Sequence, residues 1–237
     1  MKVAIISDIH GNLYALERVL EDIEREAPDR IVCLGDVIAF GPQPDEVLKR
    51  VRDLGCPVVM GNCDVFFVEW PLPAENSLNY DRVKWAAERL SPSDLEFMAS
   101  FQPTVAVPLQ DGASLLCFHG SPRSNTEMIL ATTPEDELAE MLSGFDARVM
   151  VGGHTHLQLI RRMPETLVAN AGSIGMPFNP GDHSTFVPWA EWALFEFSDG
   201  GLSVGLRRTA LDVAEMTARA AKSDMPGIEQ WLAARRR

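Results

Sequence analysis

The 237-residue sequence predicts an α/β fold, because short apolar runs alternate with helical periodicity over its first sixty residues and strand patterns return after residue 104. Val3-Ala4-Ile5-Ile6 reads as a buried strand, and Leu13, Leu16, Val19, Leu20 and Ile23 then recur at helical spacing. Ile31 to Leu34 is a second strand. The helix after it opens at Pro44 with Asp45 and Glu46 in its first turn, where proline and acids both suit a helix start. Val47, Leu48, Val51 and Leu54 form its apolar face, and Pro57-Val58-Val59-Met60 is read as the third strand. This βαβαβ rhythm implies parallel strands joined by right-handed crossovers.

Residues 65 to about 100 read as a helical insert, with helices near 80–90 and 92–100. Phe66, Phe67, Trp70 and Trp85 are expected to form its core rather than a cap over a ligand. Thr104–Leu109 and Ser114–Phe118 are strands, and a helix from Pro134 to Leu142 leads into strand Ala147–Val151. Residues 157–169 read as a hairpin turning near Pro164-Glu165. Glu191–Phe197 and Leu202–Arg208 are strands flanking the turn Ser198-Asp199-Gly200-Gly201. Helices near 211–222 and 227–236 close the chain. The whole is expected to be one domain over residues 1–237, and Arg235-Arg236-Arg237 a solvated helix end.

Apolar residues make up 46% of the chain, enough for a sizeable core. The formal charge of −13 excludes an extended nucleic-acid surface, and it would repel small anions unless bound cations neutralised some of the acids. Cys33, Cys56, Cys63 and Cys117 form no CxxC pair and are read as reduced thiols. No run approaches the length of a membrane span, so a cytoplasmic protein is expected, with a homo-oligomer compatible with the sequence.

Strand after strand ends in polar ligand types: Asp8-Ile9-His10, Gly35-Asp36, Gly61-Asn62-Cys63-Asp64, His119-Gly120 and Gly153-His154-Thr155-His156. Parallel strands deliver their C-terminal ends to one edge of a sheet, where open α/β proteins place sites. Four of the five histidines fall in these clusters, and only His183 lies elsewhere, in a loop rich in proline, glycine and serine. Taken singly, each cluster also reads as a turn or a helix cap. Taken together, they read as a metal site.

In order and spacing, Asp8-x-His10, Gly35-Asp36, Gly61-Asn62, His119 and Gly153-His154-x-His156 resemble the motif series of the calcineurin-like metallophosphoesterases, in particular their small prokaryotic phosphodiesterases. The resemblance runs from residue 3 to about 175. It implies a four-layer α/β/β/α sandwich of two mixed sheets. It also implies two divalent metal ions, one held by Asp8, His10, Asp36 and His156, the other by Asn62, His119 and His154 with Asp36 bridging. Asp36, Asn62 and His119 would be catalytic. Oxygen and imidazole donors without thiolate suit Mn²⁺, Fe, Zn²⁺, Co²⁺ or Ni²⁺, with the identity set largely by availability, and Mn²⁺ is the expectation among them. The implied reaction is hydrolysis of a phosphodiester, in a small or nucleotide substrate, by a hydroxide between the metals. Phosphomonoesterase or dinucleoside polyphosphate hydrolase activity is the alternative, and a non-catalytic scaffold a more distant one.

Two departures matter. Cys63 stands where the family places a histidine thought to serve the leaving group, and Met60 stands where an arginine often precedes this motif. Asn12, Cys63, Arg123, Asn170, Gly172 and Ser173 are candidates for touching the substrate. The competing readings are a helix cap for Asn12, a small packed residue for Cys63, a surface ion pair for Arg123 and a tight turn for the other three.

Overall fold

The computed structural model describes residues 1–69, 77–109, 112–179, 182–199 and 201–235. Trp70, Arg236 and Arg237 lie outside them, as does the side chain of His183. In chain order the elements are β1 (Lys2–Ile6), α1 (Leu13–Glu26), β2 (Arg30–Cys33), α2 (Pro44–Leu54), α3 (Val65–Val68), α4 (Leu78–Ala87), α5 (Pro92–Ala99), β3 (Val105–Pro108), β4 (Ser114–Cys117), α6 (Glu135–Leu142), β5 (Val149–Gly152), β6 (Leu159–Arg162), β7 (Leu167–Asn170), β8 (Phe178–Asn179), β9 (Asp182–Phe186), β10 (Trp189–Ser198), β11 (Gly201–Ala210), α7 (Val213–Ala220) and α8 (Ile228–Arg235).

Two mixed sheets stack face to face. One has the order β11-β10-β1-β2, the other β3-β4-β5-β7-β6, and β8 pairs with β9 in a separate ribbon. β1–β2, β4–β5 and β5–β7 are parallel, as the crossovers require, while β10 joins β1 antiparallel. Three apolar clusters define the layers. Val3, Ile5, Val32 and Phe195 of the first sheet meet Val107, Leu115, Val149 and Val151 of the second. On the outer face of the first sheet, Ala4, Ile6 and Leu194 pack with Leu16, Val19 and Ile23 of α1 and with Val47, Leu48 and Val51 of α2. Beneath the second, Leu116, Met150 and Val168 pack on Leu138, Met141 and Leu142 of α6. Helix, sheet, sheet and helix therefore form four layers. Phe67, Val83, Trp85 and Met98 of α3–α5 join the cluster beneath the first sheet, so these aromatics are core.

Two expectations are corrected. Pro57–Met60 is not a regular strand: it makes single parallel bridges, Val58 to Cys33 and Val59 to Gln102. Pro57 has no N–H to give, and the run ends in Gly61 after three residues, so no ladder can extend. Its backbone bonds still tie β2 to the approach of β3, which fixes where Gly61-Asn62 emerges. The segment after Gly175, read as loop, holds β8 and β9, whose short runs are masked in the sequence by Pro177, Pro180 and Gly181.

Candidate metal centre

The ligand-type side chains converge where β1, β2, β4 and β5 end. Asp8 and Asp36 are buried, as are His10, His119 and His156; Asn62 and His154 are only partly so and mark the side open to solvent. Asp8 Oδ1 lies 3.2 Å from His156 Nε2 and 3.9 Å from His10 Nε2. His10 and His156 face each other with Nε2 atoms 3.1 Å apart. Asp36 Oδ2 lies 3.8 Å from His10 Nε2, and its Oδ1 lies 3.6 Å from His119 Nε2. Asn62 Oδ1 is 2.9 Å from His119 Nε2, and the His119 and His154 rings are 5.1 Å apart. Asp8, His10 and His156 place one donor atom each within 4.8 Å of one another, and so do Asp8, Asp36 and His119.

Local backbone puts these side chains there. Asp8, His10, Asp36, His154 and His156 all have positive φ, between 47° and 66°. Such left-handed backbone costs a non-glycine residue and persists where surroundings over-determine it. The surroundings here are loops bonded to one another: Asp8 N donates to Gly35 O, His10 N to Asp36 O, and Gly153 N to His119 O. A Cβ on Gly153 would fall 2.0 Å from Ser7 Oγ and 2.6 Å from Asp8 Oδ2, so the two loops meet at a glycine because nothing larger fits.

Three imidazoles are oriented by carbonyls. Nδ1 of His10 lies 3.0 Å from Ala39 O, that of His119 2.8 Å from Leu34 O, and that of His156 2.7 Å from Met176 O. A proton on each Nδ1 leaves each Nε2 lone pair turned to the centre, the tautomer a metal ligand needs. Asp8 Oδ2 accepts from Ser7 Oγ and His154 N, whereas Asp8 Oδ1 is buried with no hydrogen-bond donor. An orphaned buried carboxylate oxygen facing imidazole lone pairs fits a cation.

The charges agree. Burial pushes the Asp8 carboxyl up, but His156, with His119 and His10, outweighs it and holds Asp8 well below the usual range. Burial lowers His10 to about 4 and also lowers His154. His119 and His156 go the other way: burial opposes it, but Asp36 and Asp8 respectively raise them above ordinary histidine. The Cys63 thiol is pushed far up, by burial first and then by Asp36.

Several of the substrate candidates are already bonded to other groups of the chain. Asn12 caps α1, its Oδ1 accepting from Ala15 N, and its Nδ2 contacts Met216 Sδ. Asn170 Nδ2 donates to Gly153 O and Thr155 Oγ1, and its Oδ1 accepts from Gly172 N. Ser173 Oγ donates to Asp8 O and accepts from Met176 N. All three are buried, as are Gly172 and Cys63. Asn170 and Ser173 bond the ligand loops, whereas Cys63 lies against two ligand candidates, its N donating to Asp36 Oδ1 at 2.8 Å and its Sγ 3.4 Å from Asn62 Nδ2. Arg123 is ion-paired to Glu127 at 2.8 Å and to Glu140 at 3.5 Å, the surface pairing named as its alternative.

The sequence reading gave no role to Asp64. It is fully buried and accepts from Asp36 N at 2.7 Å, Val37 N at 2.9 Å and Gly61 N at 3.1 Å. It thereby locks the second and third ligand loops together. A carboxylate two residues past Asn62 was the available signal.

Comparison with known proteins gives one consistent set. The model of the calcineurin-like phosphoesterase superfamily domain matches residues 1–189. The phosphodiesterase YfcE of Escherichia coli strain K12 is 28% identical over 190 residues, covering 75% of this chain and 81% of that protein. A symmetrical bis(5'-nucleosyl)-tetraphosphatase of Methylococcus capsulatus is 28% identical over 141 residues, 58% of this chain and 50% of that one. Among solved structures, a metallophosphoesterase from Sphaerobacter thermophilus superposes with a TM-score of 0.78 at 28% identity, covering 99% of this chain and 100% of that one.

Proposed function

The chain belongs to the calcineurin-like phosphoesterase superfamily, and from that premise we propose that it is a phosphodiesterase working with two divalent cations. Asp8, His10 and His156 hold the first, Asn62, His119 and His154 the second, and Asp36 both. One observation carries this reading: the two oxygens of Asp36 face different imidazoles, Oδ2 at 3.8 Å from His10 and Oδ1 at 3.6 Å from His119. A carboxylate that faces both sets of donors in this way is placed to serve two cations. Manganese is the first choice, with iron, zinc, nickel and cobalt as alternatives for the same oxygen and imidazole donors.

Cations held there supply a water acidified to near neutrality and a positive clamp on phosphoryl oxygens. The chain does the rest. Carbonyls of Leu34, Ala39 and Met176 fix three imidazoles, so little reorganisation accompanies reaction. Asn62 and His154, the partly exposed members, stand nearest the entering ester. Cys63 stays a neutral, buried thiol and gives the leaving group no efficient proton donor. Esters with good leaving groups are therefore preferred. Arg123 is occupied by Glu127 and Glu140, which leaves no guanidinium fork there for a phosphate dianion and favours diesters over monoesters. We place the enzyme in the cytoplasm, acting as one unit over its 237 residues.

Metal analysis of the purified protein, combined with a panel of mono-, diesters and dinucleoside polyphosphates, tests the reading. Two metals per chain and fastest turnover of diesters are expected. Faster cleavage of bis(5'-nucleosyl) tetraphosphate would favour the second reading, which the likeness to the tetraphosphatase supports. A metal-loaded protein inert to the whole panel would point to a scaffold.

A further inference from the structure

Among the described residues, the non-glycine residues with positive φ are Asp8, His10, Ala27, Asp36, Phe40, His154 and His156. The ligand candidates account for all but two of them, and Ala27 is the left-handed cap that ends α1. Phe40, at φ 74°, is left over. A bulky aromatic residue in that region is a backbone outlier, and such outliers gather at functional sites. If the turn alone mattered, a residue without a side chain would serve it better. The ring is therefore what position 40 supplies.

That ring sits at the candidate centre. Its turn is fastened to the first ligand loop by Gly11 N donating to Val37 O at 2.9 Å and by Gln43 N donating to Gly11 O at 3.0 Å. Phe40 is half-buried and lies over the His10 imidazole, with centroids 5.9 Å apart and planes at 27°. The His10 and His156 rings are 4.9 Å apart, and Phe178 stacks on His156 at 4.8 Å and 24°. Met60 directly precedes the Gly61-Asn62 loop, and the backbone carbonyl of Met176 faces His156 Nδ1 at 2.7 Å. Phe40 and Phe178 are thus partly exposed rings against two ligand candidates, while Asn12, Asn170 and Ser173 are buried and bonded within the chain.

We propose that Phe40 is a specificity-determining residue, its ring the platform on which a flat aromatic substituent of the ester, an aryl group or a nucleobase, stacks beside the phosphate. The inference rests on the hydrolase reading above and names its substrate class. Cations recognise any phosphate alike, so discrimination among esters falls to the substituents. An aromatic face selects flat rings. A stack of this kind corresponds to about a 10-fold preference.

Two diesters sharing 4-nitrophenol as leaving group, one retaining a phenyl and the other a methyl substituent, separate recognition from chemistry. The ratio of their kcat/KM values is compared in manganese-loaded wild type, Phe40→Leu, Phe40→Gly and Phe40→Trp. The wild type is expected to favour the phenyl ester. Loss of the ring should cut that preference about 10-fold, chiefly through KM, and tryptophan should retain it. The glycine variant relieves the backbone, so it keeps the test alive should leucine fold poorly. A preference that survives ring removal overturns the proposal, whatever happens to absolute rates, since the ring then only braces His10. If the wild type cleaves neither ester, the hydrolase reading fails separately. Calorimetric binding of phenyl phosphate against methyl phosphate then decides: phenyl selectivity lost in Phe40→Leu upholds the platform, and its absence in the wild type refutes it.

Discussion

At the scale of single residues, the centre depends on groups that hold other groups. Asp64 shows this most directly, since its two oxygens take three backbone N–H donors from the Gly35–Val37 and Gly61 loops. Burial, with the charge of Asp36 next, raises its carboxyl to about 7, while those backbone donors pull it down. In Asp64→Asn, one face of the amide must turn an N–H toward a backbone N–H. Relief of the repulsion with Asp36 offsets part of the cost, leaving about 1–3 kcal/mol of destabilisation. Thermal melting and calorimetric metal titration should both register it, and unchanged values would show that Asp64 braces nothing. The imidazoles yield a prediction about pH. His119 and His156 lie above the ordinary histidine range in the metal-free chain, burial opposing and Asp36 and Asp8 respectively outweighing it. A raised value means more proton bound at neutral pH, and the proton must leave before Nε2 can bind metal. Affinity should therefore rise with pH through neutrality, by up to about 10-fold per pH unit for each imidazole still protonated. Titrations in buffers of different ionisation enthalpy should detect the released protons; pH-independent affinity would exclude these two as ligands.

Elements show what the sequence makes legible and what it hides. β1, β2, β4 and β5 are short apolar runs, and each hands its next residues to the centre, so pattern and chemistry coincide. The hairpin β6–β7 and the long pair β10–β11 were legible from Pro164-Glu165 and from Ser198 to Gly201. Pro57–Met60 misled because an apolar run reveals composition but not how far its pairing extends: it meets Cys33 on one side and Gln102 on the other by a single bridge each. β8 escaped because a two-residue strand has no period to detect. The support roles of Asn12, Asn170 and Ser173 were hidden for a related reason: spacing locates a residue near a site but does not say which way it points. Asn12 makes that testable. Its Oδ1 receives Ala15 N at 3.2 Å at the start of α1, the helix that follows the first ligand loop. Asn12→Ala should cost about 1 kcal/mol, or roughly 2–4 °C in melting temperature, with KM unchanged. A raised KM at intact stability would return Asn12 to the substrate site.

For the molecule as a whole, the centre is an electrostatic liability that bound cations would turn into a source of stability. The chain carries a formal charge of −13, and Asp8, Asp36 and Asp64 are all buried beside one another. Three carboxyls so placed repel when ionised and lose hydration, a cost that sets against the packing of two sheets. Burial raises Asp64 for this reason, with Asp36 adding to it. Divalent cations held where loops from β1, β2, β4 and β5 meet would reverse the local field, and those loops meet only in the folded chain. Binding to the native state alone stabilises by mass action, about 2.7 kcal/mol at a free metal concentration 100 times Kd for one site. For a chain of this length that is roughly 5–11 °C in melting temperature. Exhaustive chelation should lower the melting temperature, and manganese should restore it in a concentration-dependent way, whereas magnesium, which prefers oxygen ligands, should restore less. The comparison needs no substrate, so it tests the centre apart from catalysis. A melting temperature indifferent to chelator and manganese alike would mean that the converging histidines and aspartates hold no cation.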